Sequence, residues 1–225
     1  MITDDPGSPG PDHWEINLGW ETQRADGQTL FGLPLLDANY GVGDRTEVTY
    51  EAPYAVLQES GEPDRSGMGD SLLGVKYRFY DAGDKGWQAS LYPQVTFVTP
   101  GSSSGRRGLA DPATTVLLPL EFAKDYGAFA IDFDCGSLLS NEAVDRGWMG
   151  GFLIGKEVMK GWELDAEIHV NSDLHLGRSE EIFNAGTRID FSEHLTLMIA
   201  LGTDLANSLA PRTSLLSYVG FQLRL

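Results

Sequence analysis

Hydrophobic and polar residues alternate with a period of two along most of this chain. The pattern is clearest at the two ends, over residues 13–21 and 214–225, where apolar and aromatic side chains share one face and mainly polar ones share the other. Such alternation predicts β-strands that have one face in an apolar environment. Because unpaired apolar edge strands promote aggregation, and closure of a sheet removes both edges, we expect the last strand to pair with the first.

Further stretches of the same kind lie between the two ends, so the pattern predicts an all-β protein of about twelve strands. The predicted connections alternate between longer loops, at 22–28, 58–70, 99–112, 140–147, 172–180 and 207–213, and short turns, at 41–45, 81–86, 124–127, 159–161 and 192–194. Outer-membrane barrels alternate in this way between longer extracellular loops and short periplasmic turns. We therefore expect a closed antiparallel transmembrane β-barrel with both termini on the periplasmic side.

The width of the predicted barrel indicates which face points inward. A cylinder of about twelve strands is too wide for apolar side chains to fill, but it can hold water and polar groups. The apolar face is therefore expected to contact lipid, with aromatic girdles at the bilayer interfaces. The predicted lipid-facing residues are Trp14, Trp20, Leu73, Val75, Leu118, Ile154, Trp162, Leu197 and Phe221. The predicted lumen-lining residues are Glu47, Glu51, Lys76, Arg78, Glu121, Asp132, Asp134, Glu163, Asp165, Glu167, His169, Arg188 and Arg224.

Composition narrows the choice of partners and the domain plan. The 225 residues include 33 acidic and 16 basic side chains, which gives a formal net charge of −17. This charge disfavours nucleic acid as a partner, because phosphate binding needs a basic surface. The single cysteine, Cys135, excludes an intramolecular disulfide and a multi-cysteine metal cluster. We expect a flexible N-terminal arm at residues 1–11, where Pro and Gly stand among acidic residues, followed by one barrel domain over residues 12–225.

Charged residues on the predicted lumen face are the candidates for function. Cross-strand pairs of opposite charge, such as Glu47 with Lys76, are ordinary stabilisers of a sheet, and they can also shape the narrow part of a pore. Glu121, Asp132 and Asp134 lie on neighbouring predicted strands and are expected to form an acidic patch without a basic neighbour. Such a patch is either simply hydrated or favours the passage of cations.

His169 is the lumen-face residue with a pattern that metal binding or acid–base catalysis can use. Asp165 and Glu167 precede it on the same face of one strand. A single histidine with acids on one strand is a weak signal for either chemistry. We therefore predict no catalytic residue, no metal and no cofactor, so that the protein is not expected to be an enzyme, and the role of His169 is left open.

Three segments of the chain resemble a known family. Residues 37–54 read Asp-Ala-Asn-Tyr-Gly-Val-Gly-Asp-Arg-Thr-Glu-Val-Thr-Tyr-Glu-Ala-Pro-Tyr, and residues 67–79 and 92–100 supply the next two predicted strands. This strand–turn–strand sequence and its continuation are similar to the outer-membrane β-barrel family named for the meta-pathway of phenol degradation. The resemblance implies an outer-membrane transport protein. It carries over no catalytic residues, because none are assigned in that family.

The expected function is that of an outer-membrane channel or transporter for the passive uptake of small solutes, with hydrophobic or aromatic molecules as candidates. One alternative is a plugged barrel with a structural or enzymatic role, and another is a soluble β-rich domain. A continuous water path across the barrel would distinguish a channel from a plugged barrel. The expected location is the bacterial outer membrane, the expected partners are outer-membrane lipid and a small-molecule solute, and a monomer is favoured.

Overall fold

The computed structural model describes residues 1–83, 86–142 and 146–225. In these residues, fourteen strand segments form one sheet. Two of the barrel strands are each interrupted once, so the segments make up twelve antiparallel strands. The strands are β1 (Trp14–Ala25), β2 (Gln28–Val42), β3 (Thr46–Glu59), β4 (Arg65–Met68 and Asp70–Asp81), β5 (Gln88–Leu91 and Gln94–Val98), β6 (Thr115–Tyr126), β7 (Phe129–Ser140), β8 (Gly147–Met159), β9 (Trp162–Asp173), β10 (Ser179–Ser192), β11 (Leu195–Asn207) and β12 (Leu215–Arg224).

Pairing of β1 with β12 closes the sheet into a barrel. Trp20 lies opposite Val219 in the antiparallel register of these two strands. The backbone N–H groups of Trp14 and Leu225 each donate to the carbonyl oxygen of the other residue at 2.9 Å. The prediction of a closed antiparallel barrel is therefore confirmed. In the described part of the chain, no helix is long and apolar enough to cross a membrane.

The prediction of a loop at residues 22–28 is wrong. β1 and β2 continue their pairing to Ala25 and Gln28 and are joined by the two residues Asp26 and Gly27. Gly27 has a φ of 75°, a left-handed conformation that glycine adopts without strain in tight hairpins. The polar side chains of this segment suggested a loop, but backbone pairing continues through them because a strand end outside the apolar layer needs no apolar face.

Two predicted connections fall partly outside the described residues. They are the turn at 81–86, which contains residues 84 and 85, and the loop at 140–147, which contains residues 143–145.

Prolines account for the interruption in β5. Pro93 has no N–H to donate, and its partner strand carries a second proline, Pro119. The ladder breaks between Leu91 and Gln94, where the N–H of Tyr92 donates to the carbonyl oxygen of Pro119 at 3.1 Å. At this break the Tyr92 side chain is buried inside the barrel. The alternation of inward and outward side chains continues across the break, from buried Ser90 through exposed Leu91 to buried Tyr92.

The long loop between β5 and β6 folds over one mouth of the barrel. It contains a single 3-10 turn, Gly105–Arg107. Leu109 is buried against the inward-facing residues Ala55 and Leu57 of β3. The guanidinium of Arg65 donates to the carbonyl oxygen of Arg107 at 2.5 Å. This loop, residues 99–114, therefore narrows the barrel at the end where the longer loops lie.

The outer surface is apolar over the strands. Large aliphatic and aromatic side chains on this surface are solvent-exposed in the isolated chain, as Leu73, Ile154 and Phe221 illustrate. Aromatic residues gather at the short-turn end, and Lys124 lies over the ring of Trp87 with its Nζ 5.6 Å from the ring centroid. An apolar band bordered by aromatic residues and lysines is the surface that a bilayer and its two interfaces select.

Candidate functional site

The N-terminal segment, residues 1–9, lies inside the barrel. Its backbone N–H at Ile2 donates to both carboxylate oxygens of Glu167, at 2.8 and 3.1 Å. Thr3 is 7% exposed, and Pro6 is fully buried. Inward-facing residues of several strands thus hold a segment that carries two of the chain's acidic side chains, Asp4 and Asp5, into the lumen.

Lys76 is the cation at the centre of this packing. It is 4% exposed, and its Nζ donates to Asp4 Oδ2 at 2.9 Å and to the carbonyl oxygen of Asp5 at 2.7 Å. The same Nζ lies 3.8 Å from Glu121 Oε2 and 4.0 Å from Glu47 Oε1. Glu121 also accepts a hydrogen bond of 2.5 Å from the Ser90 hydroxyl. The expectation that Glu121 has no basic neighbour is therefore wrong. Lys76 on β4 and Glu121 on β6 both point into the lumen, and their side chains meet across the intervening strand β5.

A cavity of about 580 Å³ remains in the lumen beside the N-terminal segment. Its wall carries ten acidic side chains and only two basic ones, Lys76 and Arg188. The acidic residues are Asp4, Asp5, Glu15, Glu21, Asp37, Glu47, Glu51, Asp132, Glu163 and Asp165. Apolar side chains such as Leu35, Leu153 and Met198 complete the wall. The cavity is therefore strongly acidic and has apolar patches.

The structure brings many of the sequence-predicted lumen residues to this cavity. Those that line it are Glu47, Glu51, Lys76, Asp132, Glu163, Asp165 and Arg188. Glu121, Asp134, Glu167 and His169 are buried against their neighbours. Arg78 forms an ion pair with Asp81 (3.4 Å), and Arg224 forms one with Glu15 (3.9 Å). Both of these ion pairs lie at the short-turn end of the barrel.

The residues predicted to face lipid are on the opposite side of the wall. Trp14, Trp20, Leu73, Val75, Ile154, Trp162 and Phe221 are exposed, and Leu118 and Leu197 are half-buried among their neighbours. Contact of these residues with lipid stays a prediction.

His169 is 2% exposed and has few polar contacts. Its Nε2 lies 3.3 Å from Asn171 Oδ1, and its Nδ1 has no hydrogen-bond partner among the described residues. Within residues 1–83, 86–142 and 146–225, no group of three or more histidine, cysteine, aspartate or glutamate side chains is arranged to hold a metal ion.

Two tyrosines of the lumen were not selected as site residues from the sequence. Tyr92 packs over Gly74, and Tyr218 packs over Gly19 and Gly220: a Cβ added at Gly19 or Gly74 would lie 2.6 Å from the nearest tyrosine ring atom. The Tyr92 hydroxyl donates to Thr49 Oγ1 at 2.8 Å. An inward glycine beside an inward tyrosine on a paired strand is the signal that could have identified them, since glycine lets a ring lie flat on the wall.

A closed barrel with an apolar exterior and a charged interior is the architecture of a bacterial outer-membrane protein. Residues 14–116 match the family model described as "Putative MetA-pathway of phenol degradation". This match includes the segments at 37–54, 67–79 and 92–100, and it confirms the resemblance seen in the sequence.

Several solved structures are similar to this chain. The COG4313 outer membrane channel from Pseudomonas putida F1 has a TM-score of 0.76 and 17% identity, with 100% of each chain covered. The KdgM porin has a TM-score of 0.61 and 8% identity, covering 92% of this chain and 98% of its own. Outer membrane phospholipase A from Escherichia coli has a TM-score of 0.50 and 13% identity, covering 92% of this chain and 89% of its own. At these identities the likeness establishes the fold. The comparison with curated proteins gave no match.

Proposed function

We propose that the protein is a passive outer-membrane channel for small solutes that favours cations and neutral molecules over anions. The observation that carries the proposal is the cavity wall inside the barrel, with ten acidic and two basic side chains. The similarity in fold to an outer membrane channel and to a porin supports a transport role.

The acidic wall favours cations for an electrostatic reason. The width of the cavity is similar to the Debye length of about 10 Å at 0.1 M salt, so the fields of neighbouring carboxylates overlap. A passage of one charge sign between low-dielectric walls concentrates ions of the opposite sign and repels those of the same sign. Carboxylated molecules are therefore resisted, whereas neutral molecules pay no such electrostatic cost.

Apolar patches in the same wall favour solutes with a hydrophobic or aromatic group. Leu35, Leu153 and Leu216 line the cavity beside the carboxylates. The description of the matching family model, which mentions phenol degradation, supports small aromatic molecules as candidates. Neutral aromatic molecules fit both features of this wall.

Passage through the barrel requires the N-terminal segment to move. Residues 1–9 occupy the lumen, and residues 99–114 narrow the mouth at the end where the longer loops lie. The contacts of the segment are noncovalent: Lys76 holds Asp4 and Asp5, and Glu167 holds Ile2. We propose that residues 1–11 act as a flexible arm that leaves the lumen when the channel opens.

The reversal potential in a salt gradient across a planar bilayer tests the selectivity. We expect the parent protein to prefer K⁺ over Cl⁻. Asp132→Asn combined with Glu163→Gln should lower this preference, because both side chains line the cavity. Asp26→Asn removes one carboxylate from the exposed turn between β1 and β2, and this control outside the lumen should leave the reversal potential unchanged.

Two results would contradict the proposal. An equal reversal potential in the parent and the double variant would reject the role of the acidic wall. A correctly folded barrel without conductance, even after residues 2–9 are removed, would favour the plugged structural barrel instead.

A further inference from the structure

We propose that the lumen wall formed by β1, β2, β3 and β12 is a binding site for a primary ammonium ion that carries an apolar or aromatic group. The inference rests on the proposed channel function and deepens it, because a solute reaches this wall only through the lumen. The site comprises Asn17, Glu21, Asp37, Glu51 and Tyr218, and it is called the ammonium site below.

Three carboxylates of the ammonium site form no ion pair within 4.0 Å. Asp37 lies opposite Glu51 across the β2–β3 pair, and Glu21 lies on the neighbouring strand β1. All three line the cavity. In the described part of the chain, neither a lysine, arginine or histidine nitrogen nor the N-terminal nitrogen lies within 4.0 Å of any of them. The N-terminal ammonium group of Met1 also lines the cavity and acts on Glu21 electrostatically without forming an ion pair. Lys76 and Arg188, the two basic residues of the cavity wall, are thus not paired with this cluster.

Asn17 supplies a second, independent feature. Its side chain is 9% exposed and lines the same cavity. Asn17 Nδ2 donates to Asp37 Oδ2 at 2.8 Å, which leaves Asn17 Oδ1 and Asp37 Oδ1 without any donor among the described residues. Buried acceptor atoms normally accept a hydrogen bond, so Asn17 Oδ1 and Asp37 Oδ1 can each still accept one from a donor group. A primary ammonium group offers three N–H donors and no acceptor.

Tyr218 gives the site its aromatic surface. It lies opposite Glu21 in the β1–β12 pair, and its ring covers Gly19, which stands between Asn17 and Glu21 on the inward face. A Cβ at Gly19 or Gly220 would overlap the ring, so both glycines are needed for the ring to lie flat on the wall. A flat ring beside carboxylates attracts an organic cation through its π face and packs against an apolar body.

The arrangement favours an organic cation over a metal ion. Metal ions need several ligand atoms converging within about 2–2.6 Å of one point. The described residues contain no such convergence of three potential ligands, whereas the ammonium site spreads its oxygens over three strands next to an aromatic ring. A molecule with an ammonium head and an aromatic body can contact both parts at once.

Calorimetric titration of the full chain in detergent tests the site with 2-phenylethylammonium as the probe. The neutral 2-phenylethanol and the anionic phenylacetate are the comparison ligands, because they keep the ring and change the charge. We expect the ammonium to bind at least about tenfold more tightly than the alcohol, as one charge-assisted hydrogen bond would give. Phenylacetate should show no binding.

Variants separate the parts of the site. Glu51→Gln is the most direct test, because the Glu51 side chain forms no ion pair within 4.0 Å in the described structure. This variant should weaken ammonium binding about tenfold and leave binding of the alcohol unchanged. Tyr218→Leu should weaken both ligands. Asp26→Asn, outside the lumen, is the charge-matched control and should bind like the parent. Heat-modifiable mobility in gels confirms that each variant is a folded barrel.

The outcomes distinguish this inference from the channel function. Equal binding of the ammonium and the alcohol, or unchanged ammonium binding by folded Glu51→Gln, would overturn the ammonium site even if the barrel conducts cations. Binding with the expected order in a barrel that conducts no ions would support the site and overturn the channel.

Discussion

At the scale of single residues, alternation within a strand decides the environment of each side chain. Ile154 on β8 is exposed on the outer surface, whereas its neighbour Leu153 is buried and lines the cavity. One position along the chain thus separates the outer surface from the lumen, since successive side chains of a strand point to opposite faces. The same rule places Lys76 in the lumen between the exposed residues Val75 and Tyr77.

Ile154→Arg tests the assignment of the outer face at this scale. An arginine that faces the middle of the bilayer should lower the free energy of unfolding by about 2–4 kcal/mol. Leu153→Arg is the matched control, because it lies opposite Asp132 and faces the acidic lumen. Urea unfolding in lipid vesicles, followed by tryptophan fluorescence, measures both. A cost that is equal in the two variants, or larger for Leu153→Arg, would contradict the assignment.

At the scale of elements, the N-terminal segment and the barrel differ in how they are held. The strands are held by continuous backbone ladders, as between β1 and β12. The segment at residues 1–9 is held mainly by side chains of the wall, with Lys76 and Glu167 as its polar anchors. An element with few backbone hydrogen bonds to the rest of the fold opens at a lower free-energy cost than a paired strand.

Deletion of residues 2–9 tests whether this segment limits conductance. We expect a higher single-channel conductance in planar bilayers, because the segment occupies part of the lumen cross-section. Replacement of the same residues by a Gly/Ser sequence of equal length keeps the chain but removes the contacts of Asp4 and Asp5 with Lys76.

The two arm variants give distinct results. If specific contacts hold the segment in place, the Gly/Ser variant should be open for a larger fraction of time than the parent. Conductance and open fraction that match the parent in both variants would show that the segment does not limit passage.

At the scale of the whole molecule, acidic residues outnumber basic ones both in the complete chain and in the wall of the lumen cavity. The formal net charge is −17, and the cavity wall alone has ten acidic residues against two basic ones. Because the apolar exterior cannot hold these charges, the barrel concentrates part of them around the path of a solute. Selectivity in this protein is therefore expected to come from a field that many residues share.

A shared field predicts a specific salt dependence. The preference for K⁺ over Cl⁻ should be larger at 0.1 M than at 1 M salt, because the Debye length falls from about 10 Å to about 3 Å. Reversal potentials at a fixed concentration ratio, recorded at several mean salt concentrations, measure this. A preference that does not change with salt would indicate selection by close contact at one site instead of by the field.

The sequence by itself determined the barrel, because alternation with a period of two is a local property. It predicted closure through residues 13–21 and 214–225, and the pairing of Trp20 with Val219 confirms this. It also showed a resemblance to the family whose model matches residues 14–116, since the resemblance over residues 37–100 depends on consecutive residues. The ion pair of Arg224 with Glu15 joins the two strands whose pairing closes the barrel.

Only the tertiary structure decided what fills the lumen. The tertiary structure also decided where β1 and β2 end. The polar residues at 22–28 predicted a loop, but most of them extend the two strands, because pairing depends on the partner backbone as well as on side-chain polarity. Residues 1–9 have no periodicity, so nothing local indicated that Asp4 would meet Lys76, seventy-two positions away. The contact of Lys76 with Glu121 and the packing of Tyr218 over Gly19 likewise join different strands. Contacts of this kind depend on the curvature and register of the closed sheet, which no single stretch of sequence contains.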